Sequence, residues 1–228
     1  MGKIYFYKLT VDNGGAPCVA NGLLSLAICK PMIRKTADDG DLIFGFAANS
    51  LHKDNRLVFV ARVSRNVRNG DYFKQAKFAK RADCIYKIYR GRFVWRKTAI
   101  YHGPGDVVHD LGPFPEYCRA NVLLSDDFRY FGVNGSADYK SEYPSVAEAV
   151  NNLKQGARVY HDETLRQELS ALARSVWRKT KRKVIGRPSS TPSRIVCLRG
   201  RNCGVATGNR LPDGIGGSCG AGGGTSIK

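Results

Sequence analysis

The first periodic stretch of the chain is Lys3–Thr10, KIYFYKLT, whose β-branched and aromatic residues predict a strand. A turn-forming cluster, Asp12-Asn13-Gly14-Gly15, follows it. Leu23–Cys29 is mostly apolar and reads as helical. Pro31 then restricts Lys30 to extended geometry and opens a second helical turn that reaches about Ala37. Asp38-Asp39-Gly40 ends that turn, with Gly40 suited to a left-handed cap. Two hydrophobic runs, Asp41–Ala48 and Leu57–Val63, predict an antiparallel pair of buried strands. Asp71–Ala82 has an amphipathic helical pattern that would place Lys74, Lys77 and Arg81 on one face. Cys84–Tyr89 and Phe93–Lys97 predict a hairpin around Arg90-Gly91, and Tyr101–Pro115 an ordered loop. Short strands are expected at Ala120–Leu124 and Tyr130–Val133, and a helix at Ser145–Lys154. Asp162 caps a longer helix with apolar positions Leu165, Leu169, Leu172 and Val176. After about Gly186 the periodicity stops and Pro, Ser, Gly and Arg dominate. The pattern therefore predicts one α+β domain over residues 1–183 and a disordered basic tail over 184–228.

Length and composition agree with this division. The 228 residues suffice for a domain of roughly 150–180 residues plus an appendage. With 43% hydrophobic residues the chain can build a packed core, and no apolar run approaches the roughly 18–20 residues that span a bilayer. The start MGKIYFYK reads as a strand and not as a signal peptide. Seven cysteines, at 18, 29, 84, 118, 197, 203 and 219, include no C-x-x-C pair. Neither a disulfide framework nor a zinc site is expected from that spacing, and reduced thiols imply a cytoplasmic protein.

Charge changes the picture more. The net charge is +18. Residues 53–97 carry 14 Lys and Arg against Asp54, Asp71 and Asp83, a net +11, and residues 174–228 carry 12 against Asp213, again +11. The remainder has 11 basic and 15 acidic residues, a net −4. Two basic blocks on a mildly acidic body favour a polyanion, and a nucleic acid, DNA in the first place, is the expected partner. Lys74, Lys77, Arg81, Arg178, Lys181 and Arg182 are the candidates for its phosphate backbone.

The candidate chemistry is sparse. The loop YHGPGDVVHD holds His102, Asp106, His109 and Asp110 within nine residues, enough for a metal or for a base with an orienting carboxylate. Its spacing matches no metal signature, and turns favour the same residues, so no metal or cofactor is expected. Cys29 beside Lys30 could act as a nucleophile, but in the run LLSLAIC a cysteine reads as a small core residue. Neither G-x-S-x-G nor a P-loop occurs. Lys30 and Arg34, four residues apart, face the same way on a helix, and with Lys8 and Lys35 they could line an anionic pocket. Tyr5, Tyr7, Phe44 and Phe46 lie on two strands read as neighbours, so a base could stack there, although each of these rings also suits a core.

The order strand, loop, helix, Gly-Asp, strand, strand over residues 1–90 resembles the EVE domain, a branch of the PUA-like fold. A closer resemblance is carried by FYKLTVDNGGAPCV (6–19), LSLAICKPMIRKTADDGDLIFGF (24–46), DCIYKIY (83–89) and VLLSDDFRYFG (122–132). These are similar to blocks of the second nucleotide modification associated domain family, found in bacteria and phages near DNA-modification or defence systems. The resemblance implies a PUA/EVE-like curved or barrel mixed sheet with flanking helices, and a nucleotide-modification context without agreed catalytic residues. The leading expectation is a binding module for a modified or extruded base or nucleotide. Lys8, Asp12, Lys30, Arg34 and Asn49 would make its polar contacts, and Tyr7 and Phe46 would stack. The alternative is an enzyme of nucleotide or DNA-base modification acting through His102, His109 and Asp110, provided that loop faces the Lys30/Arg34 side.

Overall fold

A computed structural model of the chain describes residues 2–154 and 156–190. Strand β1 (Ile4–Leu9) is followed by β2 (Cys18–Ala20), β3 (Leu23–Leu26), helix α1 (Pro31–Thr36), β4 (Leu42–Ala47), β5 (Leu57–Arg62), β6 (Arg65–Val67) and α2 (Asp71–Lys74). Then come β7 (Tyr86–Tyr89), β8 (Arg92–Trp95), α3 (Val107–Leu111), β9 (Val122–Ser125) and β10 (Asp127–Tyr130). Helices α4 (Tyr139–Glu142) and α5 (Pro144–Asn152), β11 (Ala157–Arg158) and α6 (Glu163–Lys179) complete the order.

The strands form a five-stranded sheet, β10-β5-β4-β1-β11, a four-stranded sheet, β2-β3-β9-β6, and the β7-β8 hairpin. Only β1 and β4 run parallel in the large sheet, with Tyr7 opposite Gly45 and Lys8 opposite Phe46. The predicted β4-β5 pair is antiparallel as expected. At Gly45 the neighbours come very close, since a Cβ there would lie 2.2 Å from Phe59 Cε1 and 2.7 Å from Leu9 Cδ1. Two strands cross from one sheet to the other at a shared corner. There the Ser64 hydroxyl donates to Asp126 Oδ1 and accepts from the Asp126 amide at 3.0 Å. The fold is thus α+β, with one mixed sheet and two antiparallel ones. Among the described residues none of them closes into a barrel.

The period of two along β1 sorts its side chains onto two faces. Ile4 and Phe6 join Phe44, Phe46 and the apolar stripes of α5 and α6. Tyr5, Tyr7 and Leu9 join Leu24, Leu26, Ile33 and Phe59 between the two sheets. A third cluster packs Tyr72, Phe73, Tyr86 and Phe93 against the outer face of the smaller sheet. Helix α6 follows its pattern: the Asp162 side chain accepts from the Leu165 amide at 2.9 Å, and Leu165, Leu169 and Leu172 are buried.

Three expectations need correction. The run 23–29 is not helical. LLSL forms β3, because pairing with β2 and β9 buries Leu24 and Leu26 and satisfies the backbone better than a short isolated helix would. Residues 71–82 do not form one helix either, but the single turn α2 and a 3-10 turn at Ala76–Phe78. Arg81 there points inward, onto the carboxylate of the buried Asp83 and the Tyr72 hydroxyl, and not into solvent. Third, the body does not end at residue 183. Val184 bridges to Tyr130, the Val133 amide donates to Arg187 O at 3.0 Å, and the Ser189 hydroxyl donates to Asp12 O at 2.8 Å. The rest of the predicted tail, 191–228, lies outside the described residues.

Candidate active site

The chain turns sharply between β3 and α1, and Cys29 and Lys30 occupy that turn at φ values of 57° and 44°. Two consecutive non-glycine residues in the left-handed region are strained, at a cost of on the order of 1–3 kcal/mol each. The extended geometry expected of Lys30 before Pro31 is therefore not adopted. Pro31 still starts the helix at its first position, as its fixed φ and missing amide favour. The turn is held from below by Arg34. Its guanidinium is fully buried and donates from Nε to Cys29 O (2.7 Å), from Nη1 to Arg119 O (2.8 Å) and Asn121 O (2.6 Å), and from Nη2 to Asp110 O (2.8 Å). Burial lowers its pKa to about 10, partly offset by the charge of Asp110, so it stays a cation at neutral pH.

The same arginine ties the turn to the loop 101–111. His102 Nε2 lies 3.5 Å from Cys29 Sγ, and His102 Nδ1 donates to Asp110 Oδ2 at 2.6 Å. The Tyr86 hydroxyl donates to the same Oδ2 at 2.6 Å. Asp110 is fully buried. Burial pushes its carboxyl up, but the hydrogen bonds from His102 and Tyr86 outweigh that and hold it below the usual carboxylate range. His102 is raised to about 10, by its hydrogen bond to Asp110 first and its contact with Cys29 second. At neutral pH the ring is an imidazolium between a carboxylate and a sulfur. A thiol, an imidazole ring and an orienting carboxylate in line have the geometry of thiol-based covalent catalysis.

Cys29 and His102 form part of the wall of a cavity of about 530 Å³, bordered also by Tyr7, Thr10, Asn13, Lys30 and Tyr101, with Asp110 buried behind the ring. That volume falls within the range of small-molecule sites. The Lys30 ammonium lies 4.7 Å from the centroid of the Tyr7 ring and is partly buried, which lowers its pKa. Among the described residues the buried Tyr7 hydroxyl has no hydrogen-bond partner. The Tyr101 hydroxyl donates to Asn13 O at 2.8 Å and holds the loop after β1 at the cavity's edge.

Of the ligand-binding residues expected from the sequence, the cavity brings together Tyr7 and Lys30. Lys8 borders it, but its ammonium donates to Asn151 O at 3.3 Å on α5. Phe46 cannot stack opposite Tyr7, because it packs on the other face of the sheet with Phe6, Phe44 and Tyr139. The Arg34 guanidinium is buried and directed at four backbone carbonyls. The Asp12 carboxylate is buried and accepts from the Tyr130 hydroxyl at 2.8 Å. Asn49 accepts from Asn55 Nδ2 at 2.6 Å in the β4-β5 turn.

The model for nucleotide modification associated domain 2 matches residues 1–194. The chain belongs to that family. No curated protein and no solved structure matches it. As a nucleotide modification associated domain, the chain carries Cys29, His102 and Asp110 within the matched region, together with the docked segment up to residue 190.

In this family member the alternative constellation of the sequence reading is two-thirds assembled: His102 and Asp110 meet, while His109 is exposed on α3. Cys29 completes it in place of His109. Cys29 packs against the third hydrophobic cluster, in keeping with the core role expected of it, but its sulfur also faces His102 and the cavity. Tyr86 and Asp110 are 24 residues apart, and nothing in the sequence announces that contact. Of the phosphate candidates, Lys74, Lys77, Arg178, Lys181 and Arg182 are exposed, whereas Arg81 is buried. Among the described residues no cluster of His, Cys, Asp and Glu is arranged to hold a metal, and no helix is long and apolar enough to cross a membrane.

Proposed function

We propose that the protein is a thiol-dependent enzyme that transfers or hydrolyses an acyl or amide group on a nucleotide, with Cys29 as nucleophile. The observation that carries this reading is the placement of Cys29 and His102 in the wall of a cavity, with the His102 ring held from behind by the buried Asp110. The sulfur adds to the carbonyl carbon, and the C–S bond forms as the C–N bond breaks. His102 gives its proton to the departing amine. Water then enters, His102 takes its proton, and the thioester opens to an acid and the free thiol. Asp110 keeps the ring oriented and stabilises its charge, and the Lys30 ammonium suits a phosphate or the developing oxyanion. Family membership supports the nucleotide-modification setting. DNA as the natural carrier, and bacterial or phage modification or defence as its context, belong to the same proposal. Capture of a modified base, the role expected first, becomes the binding step of this reaction.

The test uses N4-acetyl-2′-deoxycytidine 5′-monophosphate as a base-linked amide, with acetate release and peptide mass spectrometry as readouts. We expect an acetyl thioester on the Cys29 peptide. His102→Asn should slow acetate release by about 10²–10⁴-fold, the usual weight of a general acid–base. Acetate release that survives Cys29→Ala in a folded protein would overturn the reading.

A further inference from the structure

The β7-β8 hairpin pairs with no other strand among the described residues, yet its root is built into the site. Tyr86 donates to Asp110, and Trp95 Nε1 donates to Tyr101 O at 3.0 Å. From that root the strands run three residues outward, roughly 10 Å, to the tip Tyr89-Arg90-Gly91-Arg92. Large apolar groups are left in water there: Ile88, Tyr89 and the adjacent Phe114 are 44%, 55% and 50% exposed. Each exposed ring has an arginine beside it, with Arg92 4.4 Å from the Phe114 centroid and Arg90 5.4 Å from that of Tyr89. Between residues 85 and 105 the chain has five Lys and Arg (Lys87, Arg90, Arg92, Arg96, Lys97) and no Asp or Glu. None of the five makes an ion pair among the described residues.

We infer that this hairpin, with Phe114, binds a single-stranded nucleic acid and leads it toward the Cys29 cavity. Uncompensated positive charge calls for a polyanion. Exposed rings interleaved with that charge call for one whose bases present open π-faces, which a duplex keeps stacked inside. An acidic protein segment would satisfy the charges and leave the rings unused. Delivery of a base to Cys29 rests on the reaction proposed above, whereas binding of the strand does not.

The experiment is fluorescence anisotropy with labelled oligo-dT and a duplex of equal length, on the full chain carrying Cys29→Ala so that only binding is read. Tyr89→Ala with Phe114→Ala should weaken oligo-dT binding at least about tenfold and leave the duplex nearly unaffected, since two stacked bases together contribute that much or more. Arg90→Ser with Arg92→Ser should reduce the slope of log affinity against log salt by about 1.4, at roughly 0.7 per phosphate contact on a single strand. All four side chains are on the surface, so circular dichroism should show an unchanged fold. Equal loss for strand and duplex, no loss from the aromatic pair, or competition by polyglutamate as strong as by oligo-dT would each overturn the inference. Failure here with acetyl transfer to Cys29 intact would remove the strand and leave the thiol chemistry standing.

Discussion

Replacing Asp110 by Asn removes the charge that holds His102 as an imidazolium while keeping the shape of the side chain. The ring is raised from 6.5 to about 10, chiefly by its hydrogen bond to Asp110. At about 1.4 kcal/mol per pH unit that rise corresponds to roughly 5 kcal/mol. The His102 side chain is 23% exposed, and solvent screening reduces the expected effect to ~2–3 kcal/mol. Because the folded-state value lies above the unfolded one, this stabilisation is complete below about pH 6.5 and is lost as pH rises through about 10. Asp110 is held below its ordinary range, so the carboxylate partner is already ionised throughout that window. NMR of the histidine ring nitrogens follows His52, His102, His109 and His161 without any substrate. One ring should titrate at about 10 in the parent, and Asp110→Asn should bring it within about one unit of 6.5. In urea, the parent should be more stable than the variant by ~2–3 kcal/mol at neutral pH, and the gap should close on the alkaline side. Four histidines that all titrate between about 5.5 and 7.5 would refute the ion pair, and with it the catalytic line of groups.

Further outcomes follow from single contacts. Arg34→Met leaves the carbonyls of Cys29, Asp110, Arg119 and Asn121 without their buried donor, and urea unfolding should show a loss of about 3–5 kcal/mol. A loss below about 1 kcal/mol would mean that water replaces the guanidinium. Gly45→Ala drives a Cβ into Phe59 and Leu9, for a predicted cost of about 1–3 kcal/mol by the same measurement, and a neutral result would show that β4 shifts freely. In Gly186→Ala the new Cβ would lie 1.9 Å from Phe131 O, so the segment after residue 183 should detach and the Val133 amide, which donates to Arg187 O, should exchange faster with deuterium. Removing Arg178, Lys181 and Arg182 together should lower the salt slope of DNA binding by about 2–3; an unchanged slope would leave these cations as solvated surface.

Much of the scaffold was legible along the chain. KIYFYKL, DLIFGFA and LVFVAR are local patterns with one reading, and Asp162 with Leu165, Leu169 and Leu172 marks both the start and the buried face of α6. Pro31 and Gly40 act through their own backbone restrictions, which no neighbour has to supply. The misread elements are those in which partners outvoted local propensity. LLSL became a strand because β2 and β9 flank it, and Arg81 left the surface because Asp83, Tyr72 and Ser25 form a buried site for it.

The candidate site divides in the same way. Sequence alone determined the composition of the loop His102–Asp110, the presence of a thiol before a helix-starting proline, and the family blocks that span residues 6–132. Only the tertiary structure decided that Cys29 lies 3.5 Å from a histidine 73 residues away, that Arg34 clamps both ends of the arrangement, and that Phe46 faces the opposite side of the sheet from Tyr7. The physical reason is one of range. Propensity and periodicity act over a few residues, whereas a catalytic alignment depends on how sheets stack and which backbone groups a buried cation must satisfy, and those are properties of the whole packed chain.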